Sequence, residues 1–331
     1  MRKYLLVILL VFIGGKIQAQ SRKHIASFAQ VKHYFNPALT SLEGTQLKTF
    51  YRDQWTGFED APRTLFFSGE FDLADVGAWS RSKRPGVLQE ERPDPYLGAK
   101  DALGVSLLHD SFGPYRENQL FLSYSRQVYL SQKLTLRAGT AVTYNNIFLD
   151  YLQLTLDQSN DPELQNLIQA DNNEINKIDV NVGVALAGEN FYVGYALQDA
   201  AQGKLTSNEN YFMNTFPMQH IVQAGYRQGF SEQFGLVVNG IYRYDAKLKE
   251  TVEGQVKGVF QNTFWAGAGY RYNLAYIFTA GFRLKQLRLN YSYESVAQDA
   301  RRLNANSNEI ALTYNLVPVP FKNIGKKLVL W

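Results

Sequence analysis

From Ile178 to Leu186 the chain places a large apolar residue at every second position and a small or polar one between, in the run Ile-Asp-Val-Asn-Val-Gly-Val-Ala-Leu. Successive side chains of a β-strand point to opposite faces, so this period of two predicts a ribbon with one apolar side and one polar or close-packed side. Leu134, Leu136, Ala138, Thr140, Val142 and Tyr144 repeat the pattern against Thr135, Arg137, Gly139, Ala141, Thr143 and Asn145. It returns at Phe191-Val193-Tyr195-Leu197, Phe278-Ala280-Phe282-Leu284, Leu287-Leu289-Tyr291-Tyr293 and Ile310-Leu312-Tyr314-Leu316. Strands are expected near 45–54, 62–73, 101–109, 116–130, 133–149, 177–187 and 191–198, then 218–229, 234–245, 250–260, 263–272, 274–284, 287–295 and 308–316. The even total of about fourteen suits a single-chain bacterial barrel.

The connections carry topology. Residues 131–133, 187–190, 231–233, 261–262 and 285–286 are tight turns that fall on one side if strands alternate in direction. The longer links 150–176, 199–217 and 296–307 fall on the other. Outer-membrane barrels keep short turns in the periplasm and long loops outside, which predicts periplasmic termini. The charged link 74–100, with Arg81, Arg84, Glu90, Glu91 and Arg92, is the exception that this count assigns to the periplasm: either it is a contact surface there, the reading preferred, or one strand is miscounted.

Residues 1–19 carry Arg2 and Lys3, an apolar run from Leu5 to Ile13 and then the small Ala19. This reads as a secretory signal, too short for a spanning helix. Its removal takes away three cations (Arg2, Lys3, Lys16) and no acid, lowering the formal charge from +4 to about +1. No nucleic-acid partner is indicated. The absence of cysteine removes a lipoprotein anchor and a disulfide scaffold. Aromatic residues at 14% fit interfacial girdles. The fold expected is therefore all-β, a transmembrane outer-membrane antiparallel barrel over 45–316, in contact with the lipid bilayer. Residues 20–44 hold Ile25, Phe28, Val31 and Phe35 at helical spacing and form a plug or a segment at the periplasmic mouth. The tail 317–331, with Pro318, Pro320, Lys322, Lys326, Lys327 and Trp331, follows the last strand on the periplasmic side.

Tyr34-Phe35-Asn36-Pro37-Ala38 is followed by Tyr51-Arg52-Asp53-Gln54-Trp55-Thr56-Gly57-Phe58 and Ala61-Pro62-Arg63-Thr64. This series resembles the opening of the PorP/SprF family of outer-membrane proteins, as does Leu103-Gly104-Val105-Ser106 with Asp110-Ser111-Phe112-Gly113-Pro114. The resemblance implies a part in type IX secretion and gliding motility. It also implies partners: a secreted cargo protein with a C-terminal sorting domain, and other secretion components of the outer membrane and periplasm. The motif residues of interest are Asn36, Pro37, Arg52, Asp53, Gln54, Trp55, Gly57, Phe58 and Pro62. On the residues alone, Gly57 suits a positive-φ turn, Trp55 and Phe58 an aromatic girdle, and Arg52 an inward charge that pairs with an acid and fixes the plug. Phe148, Tyr151, Leu152, Tyr211, Phe212 and Phe216, in or beside the outer links, are candidate cargo contacts. The alternative function is a small-solute channel lined by inward Arg137, Arg243, Arg283 and Arg288 with small Gly183, Ala185, Gly194, Gly267 and Gly269.

Catalysis has one candidate. His109-Asp110-Ser111 has the His-x-Ser spacing of outer-membrane phospholipases, in which a histidine base activates a lipid-facing serine. The sequence places no partner asparagine, and the turn at Phe112-Gly113-Pro114 accounts for the triplet, so no enzyme is expected. His24, His33, His109 and His220 lack ligand spacing, and Asp157-Gln158-Ser159-Asn160-Asp161 lacks the glycine and terminal glutamate of a calcium loop. No cofactor or metal is expected.

Overall fold

The computed structural model describes residues 23–76, 99–150, 174–206, 217–245, 250–297, 306–318 and 328. Its strands are β1 Gln46–Asp53, β2 Arg63–Asp72, β3 Asp101–Phe112, β4 Tyr115–Ser131, β5 Leu134–Leu149, β6 Glu174–Gly188 and β7 Phe191–Gln198. They continue as β8 Gln219–Gly229, β9 Phe234–Asp245, β10 Thr251–Phe260, β11 Phe264–Arg271, β12 Ala275–Leu284, β13 Leu287–Val296 and β14 Ser307–Asn315. Each pairs with its sequence neighbours, and β1 pairs antiparallel with β14 from Gln46↔Asn315 to Asp53↔Asn308, closing the barrel. Closure gives every strand two partners and leaves no open edge. No helix among the described residues is long and apolar enough to cross a membrane.

Burial alternates as the period of two requires. On β6 Val182 and Val184 are exposed on the outer face, while Asn181 and Gly183 face the lumen. Two strands run further than their sequence pattern: β3 reaches Phe112 rather than residue 109, and β6 starts at Glu174 rather than at 177. The β3–β4 ladder holds to Phe112↔Tyr115 because Gly113, at φ 52°, and Pro114 turn the chain in two residues.

Tight turns after β4, β6, β8, β10 and β12 share one end, here the turn end; the opposite is the loop end. Aromatics ring both. Tyr144, Tyr195, Tyr242 and Tyr291 near the loop end each bond a polar neighbour through the phenol, on Asn176, His220, Glu250 and Asn308. Phe234, Phe260, Phe264 and Phe282 crowd the turn end. At that end Leu328 reaches back into the lumen onto Gly235, Val237, Val259 and Trp265. Arg81, Arg84, Glu90, Glu91 and Arg92, the acidic loop 157–161, and Pro320, Lys322, Lys326, Lys327 and Trp331 lie outside the described residues.

Arginine at Val182 would sit in the lipid-facing band and should cost about 2–4 kcal/mol in unfolding from vesicles. Asn181→Ser should cost about 1 kcal/mol, because the Asn181 side chain accepts from the Asp199 amide at 2.9 Å. A cysteine at 182 should resist water-soluble alkylating reagents in lipid; ready labelling there would invert the register.

Candidate functional site

The lumen is occupied by the chain itself. Residues 23–44 thread through it as turns, one short helix α1 (Lys32–Phe35) and a 3-10 turn at Pro37–Leu39. Ile25, Phe28, Val31 and Phe35 form a buried cluster with the inward Phe50, Phe66, Leu108, Ile221 and Ile241. Each such side chain contributes about 1.5–3 kcal/mol by leaving water. An inner wall with this apolar sector can bind a segment having one apolar side.

Asn36 and Pro37 set the tightest fit. Asn36 is extended, and its side-chain oxygen accepts from the Ala38 amide at 3.0 Å while Pro37 starts the 3-10 turn without needing a donor. Its amide nitrogen donates to the Val184 carbonyl at 3.3 Å. A Cβ on Gly183 or Gly194 would collide with the Asn36 amide, and one on Gly139 with the Pro37 carbonyl. The three glycines are therefore a mould for this motif rather than the lining of an open path. Arg137, fully buried, donates to the carbonyls of Ala38 and Thr40 at 2.8 Å each, satisfying acceptors the short turn leaves open, and to the carbonyl of Ala99, just before β3, at 3.2 Å.

Charge locks both flanks. Glu309 on β14 accepts from the amides of Ala26 at 2.9 Å and Ser27 at 2.8 Å, and from the Ser27 hydroxyl. Behind it Arg52 joins Glu309 at 3.5 Å and Glu294 at 2.7 Å, and Arg271 joins Glu294 at 2.9 Å and Glu253 at 2.7 Å. Glu70 accepts from the Ser41 amide at 2.6 Å and pairs with Lys48 at 2.5 Å, with His33 Nδ1 3.0 Å away. Lys32 and Arg288 meet at Glu43, at 2.5 and 2.7 Å. Burial pushes the Lys32 ammonium down to about 8 against the pull of Glu43. Burial acts to raise the Glu43 carboxyl, but Lys32 and Arg288 together hold it well below the usual carboxylate range.

The remaining motif residues gather at the loop end. Gly57 has φ 99°, Trp55 packs edge-on to Phe112 with centroids 5.9 Å apart, and Phe58 is exposed. Gln54 donates its amide to the Pro62 carbonyl at 2.9 Å, and Asp53 stands 3.9 Å from Arg63. These groups are some distance in function from Asn36: the structure brings only Asn36, Pro37 and Arg52 to the segment in the lumen. Phe148 lies on the last turn of the β4–β5 ladder opposite Arg116; Tyr151, Leu152, Tyr211, Phe212 and Phe216 lie outside the described residues. His109 has an asparagine after all. Asn118 faces it across the β3–β4 ladder, Oδ1 to Nδ1 at 2.7 Å. The described residues contain no group of three or more His, Cys, Asp or Glu placed to hold a metal ion.

The model of the type IX secretion system membrane protein PorP/SprF matches residues 17–314. The chain belongs to the PorP/SprF family. No curated protein sequence matches it. Among solved structures it is similar to the CymD monoaromatic hydrocarbon channel, at 12% identity and TM-score 0.49, covering 86% of this chain and 92% of that one. A FadL homologue of Pseudomonas aeruginosa aligns at 11% identity and TM-score 0.45 over 85% and 92% of the two chains. Omp33 of Acinetobacter baumannii aligns at 6% identity and TM-score 0.44 over 82% and 96%.

In this PorP/SprF protein the acids that fasten the segment, Glu43, Glu70 and Glu309, and those that stand behind them, Glu253 and Glu294, all lie outside the sequence motifs. Their signal is present, since the four on strands occupy the inward phase of the alternation, where an acid needs a partner. Glu309→Ala should destabilise the protein by about 2–5 kcal/mol, because it leaves the buried Ala26 and Ser27 amides without an acceptor and removes the more distant of the two carboxylates that face Arg52. Lys133→Ala, at an exposed pair with Glu189, should change unfolding by no more than about 0.5 kcal/mol.

Acid should loosen the segment as well. The Glu43 carboxyl has a lower pKa docked than free, so its contribution is complete above the ordinary value of 4.5 and is lost as pH falls below it. Limited proteolysis within residues 23–44 should accelerate below that pH in the wild type, and Glu43→Gln should be cleaved at the acid rate already at pH 7.

Proposed function

We propose that this protein is an outer-membrane partner of type IX secretion that binds, exports or anchors a specific secreted cargo protein at the cell surface, acting as a scaffold rather than as a conduit for small solutes. The observation that carries this reading is the occupied lumen. Residues 23–44 are fastened by Arg137, Glu309, Glu70 and Glu43 to four sectors of the wall, and three of the four inward arginines of the channel alternative engage the segment: Arg137 and Arg288 hold it, and Arg243 donates to the Lys23 carbonyl at 2.8 Å.

In this reading the turn end and both termini face the periplasm, where the secretion machinery works, and the loop end faces outward. A rigid barrel leaves its connections free to vary and bind, so the recognition surface is placed on the links 150–176, 199–217 and 296–307 and the rim beside them, including Phe148. A sorting domain carried on such a surface would be held by buried aromatic anchors.

Deleting the gene should abolish surface display of one or a few large secreted proteins, and shortening the 199–217 link should do the same while the barrel stays folded. In planar bilayers the purified protein should show little conductance. Normal display of all secreted cargo in the deletion strain, with uptake of a small solute lost, would establish the channel reading instead. Epitopes inserted at residues 57 and 132 should be surface-stained and hidden, respectively, on intact cells.

A further inference from the structure

The outer face of β2–β4 near the loop end carries polar chemistry that neither the secretion role nor the filled lumen uses. Outward positions on β3 are Leu103, Val105 and Leu107, all exposed, then His109 and Ser111. Asp101, paired with Arg126 at 3.6 Å, closes the apolar stretch at its other end. The ten residue steps from Asp101 to Ser111 span about 34 Å along a strand, or about 25 Å of height at a tilt near 40°, the height of an outer-membrane apolar band. His109 thus lies at the boundary of the hydrocarbon and Ser111 at headgroup level.

Three features join there. Asn118 Oδ1 faces His109 Nδ1 at 2.7 Å, which selects the tautomer protonated on Nδ1 and leaves Nε2 as a base. Ser111 is the next residue outward on the same strand, on the same face as His109 and one step along it. In register it lies between Arg63 on β2 and Arg116 on β4. Both guanidiniums are exposed and only loosely paired, to Asp53 at 3.9 Å and Asp150 at 3.6 Å, so each has donors to spare. On the inner face the same ladder is fixed by Lys23, which meets Glu117 at 2.5 Å and Asp110 at 3.4 Å.

We propose that His109, Ser111 and Asn118 form a lipid-facing acyl-ester hydrolase site whose substrate is a phosphate-bearing lipid of the adjoining leaflet. It departs from the sequence expectation of no enzyme, which rested on the lack of a partner for His109 and on the turn at Phe112-Gly113-Pro114. Ser111 Oγ attacks the ester carbonyl as His109 Nε2 takes its proton, and the tetrahedral oxyanion forms beside Arg63 or Arg116. Collapse breaks the acyl C–O bond, and the leaving alcohol takes the proton from His109. Water then adds to the acyl-serine with His109 again as base, releasing a fatty acid and restoring the serine. Asn118 touches no substrate; it positions the ring. The arginines draw the lipid phosphate to the rim, and Leu65 and Leu107 below flank the acyl chain.

The test uses the full-length protein in vesicles of phosphatidylethanolamine and phosphatidylglycerol containing a fluorogenic acyl-ester phospholipid, beside labelling with a fluorophosphonate. Wild-type protein should release fatty acid and carry the label on the peptide containing Ser111. Ser111→Ala should abolish both, and His109→Gln should slow hydrolysis on the order of 100-fold. Asn118→Ala should do likewise, with Asn118→Asp restoring activity, a rescue that a purely structural asparagine would not show. All four substitutions are outward, and heat-modifiable gel migration checks that each barrel is folded. No label on Ser111 in folded wild-type protein, or hydrolysis that persists in Ser111→Ala, would overturn the proposal and leave these residues as a polar girdle.

Discussion

Everything inside this barrel follows from the cost of a buried charge without a partner. An inner wall that carries Arg52, Glu70, Arg137, Glu253, Arg271, Glu294 and Glu309 at no more than 5% exposure must answer each one locally. The wall answers some charges with others, as in the chain Glu309–Arg52–Glu294–Arg271–Glu253. The rest are answered by main-chain groups of residues 23–44, whose short helix and 3-10 turn leave amides and carbonyls open. Neither partner is satisfied alone. The N-terminal segment is held by the barrel's charges as much as by its own apolar side, and the barrel is filled because those charges require it.

This accounts for the family motif in physical terms. Asn36 and Pro37 mark the point where main chain comes closest to the wall, and Gly139, Gly183 and Gly194 are small because an amide or a carbonyl occupies the place of each missing side chain. The same glycines in an open pore would need a different explanation. With the lumen filled, the rim and the outer face are what the barrel presents, and Trp55, Phe112 and Ser111 stand there.

How much of this the sequence displayed depended on range. Alternation is local, and it gave fourteen strands, their facing and the inward Arg52 without any knowledge of the fold. Partners are not local. Glu309 meets Ala26 across 283 residues of sequence, and no periodicity reports such a contact; the clue was only that an acid stood on the inward phase. Asn118 shows the same limit at short range. It lies nine residues from His109, but its role depends on the hairpin register, which was set by a turn of two residues where the pattern suggested an earlier end to β3.

The position of Glu309 on the last strand has a kinetic consequence. A barrel assembled strand by strand keeps β14 unpaired with β1 until the end, and contacts of such large sequence separation form late because their loop entropy is lost before any gain is made. The carboxylate that grips Ala26 and Ser27 is therefore delivered only when the seam zips. Fastening the first segment of the chain and sealing its last strand are one event, so a barrel that fails to seal also displays a loose N-terminal segment, a visible mark of incomplete assembly.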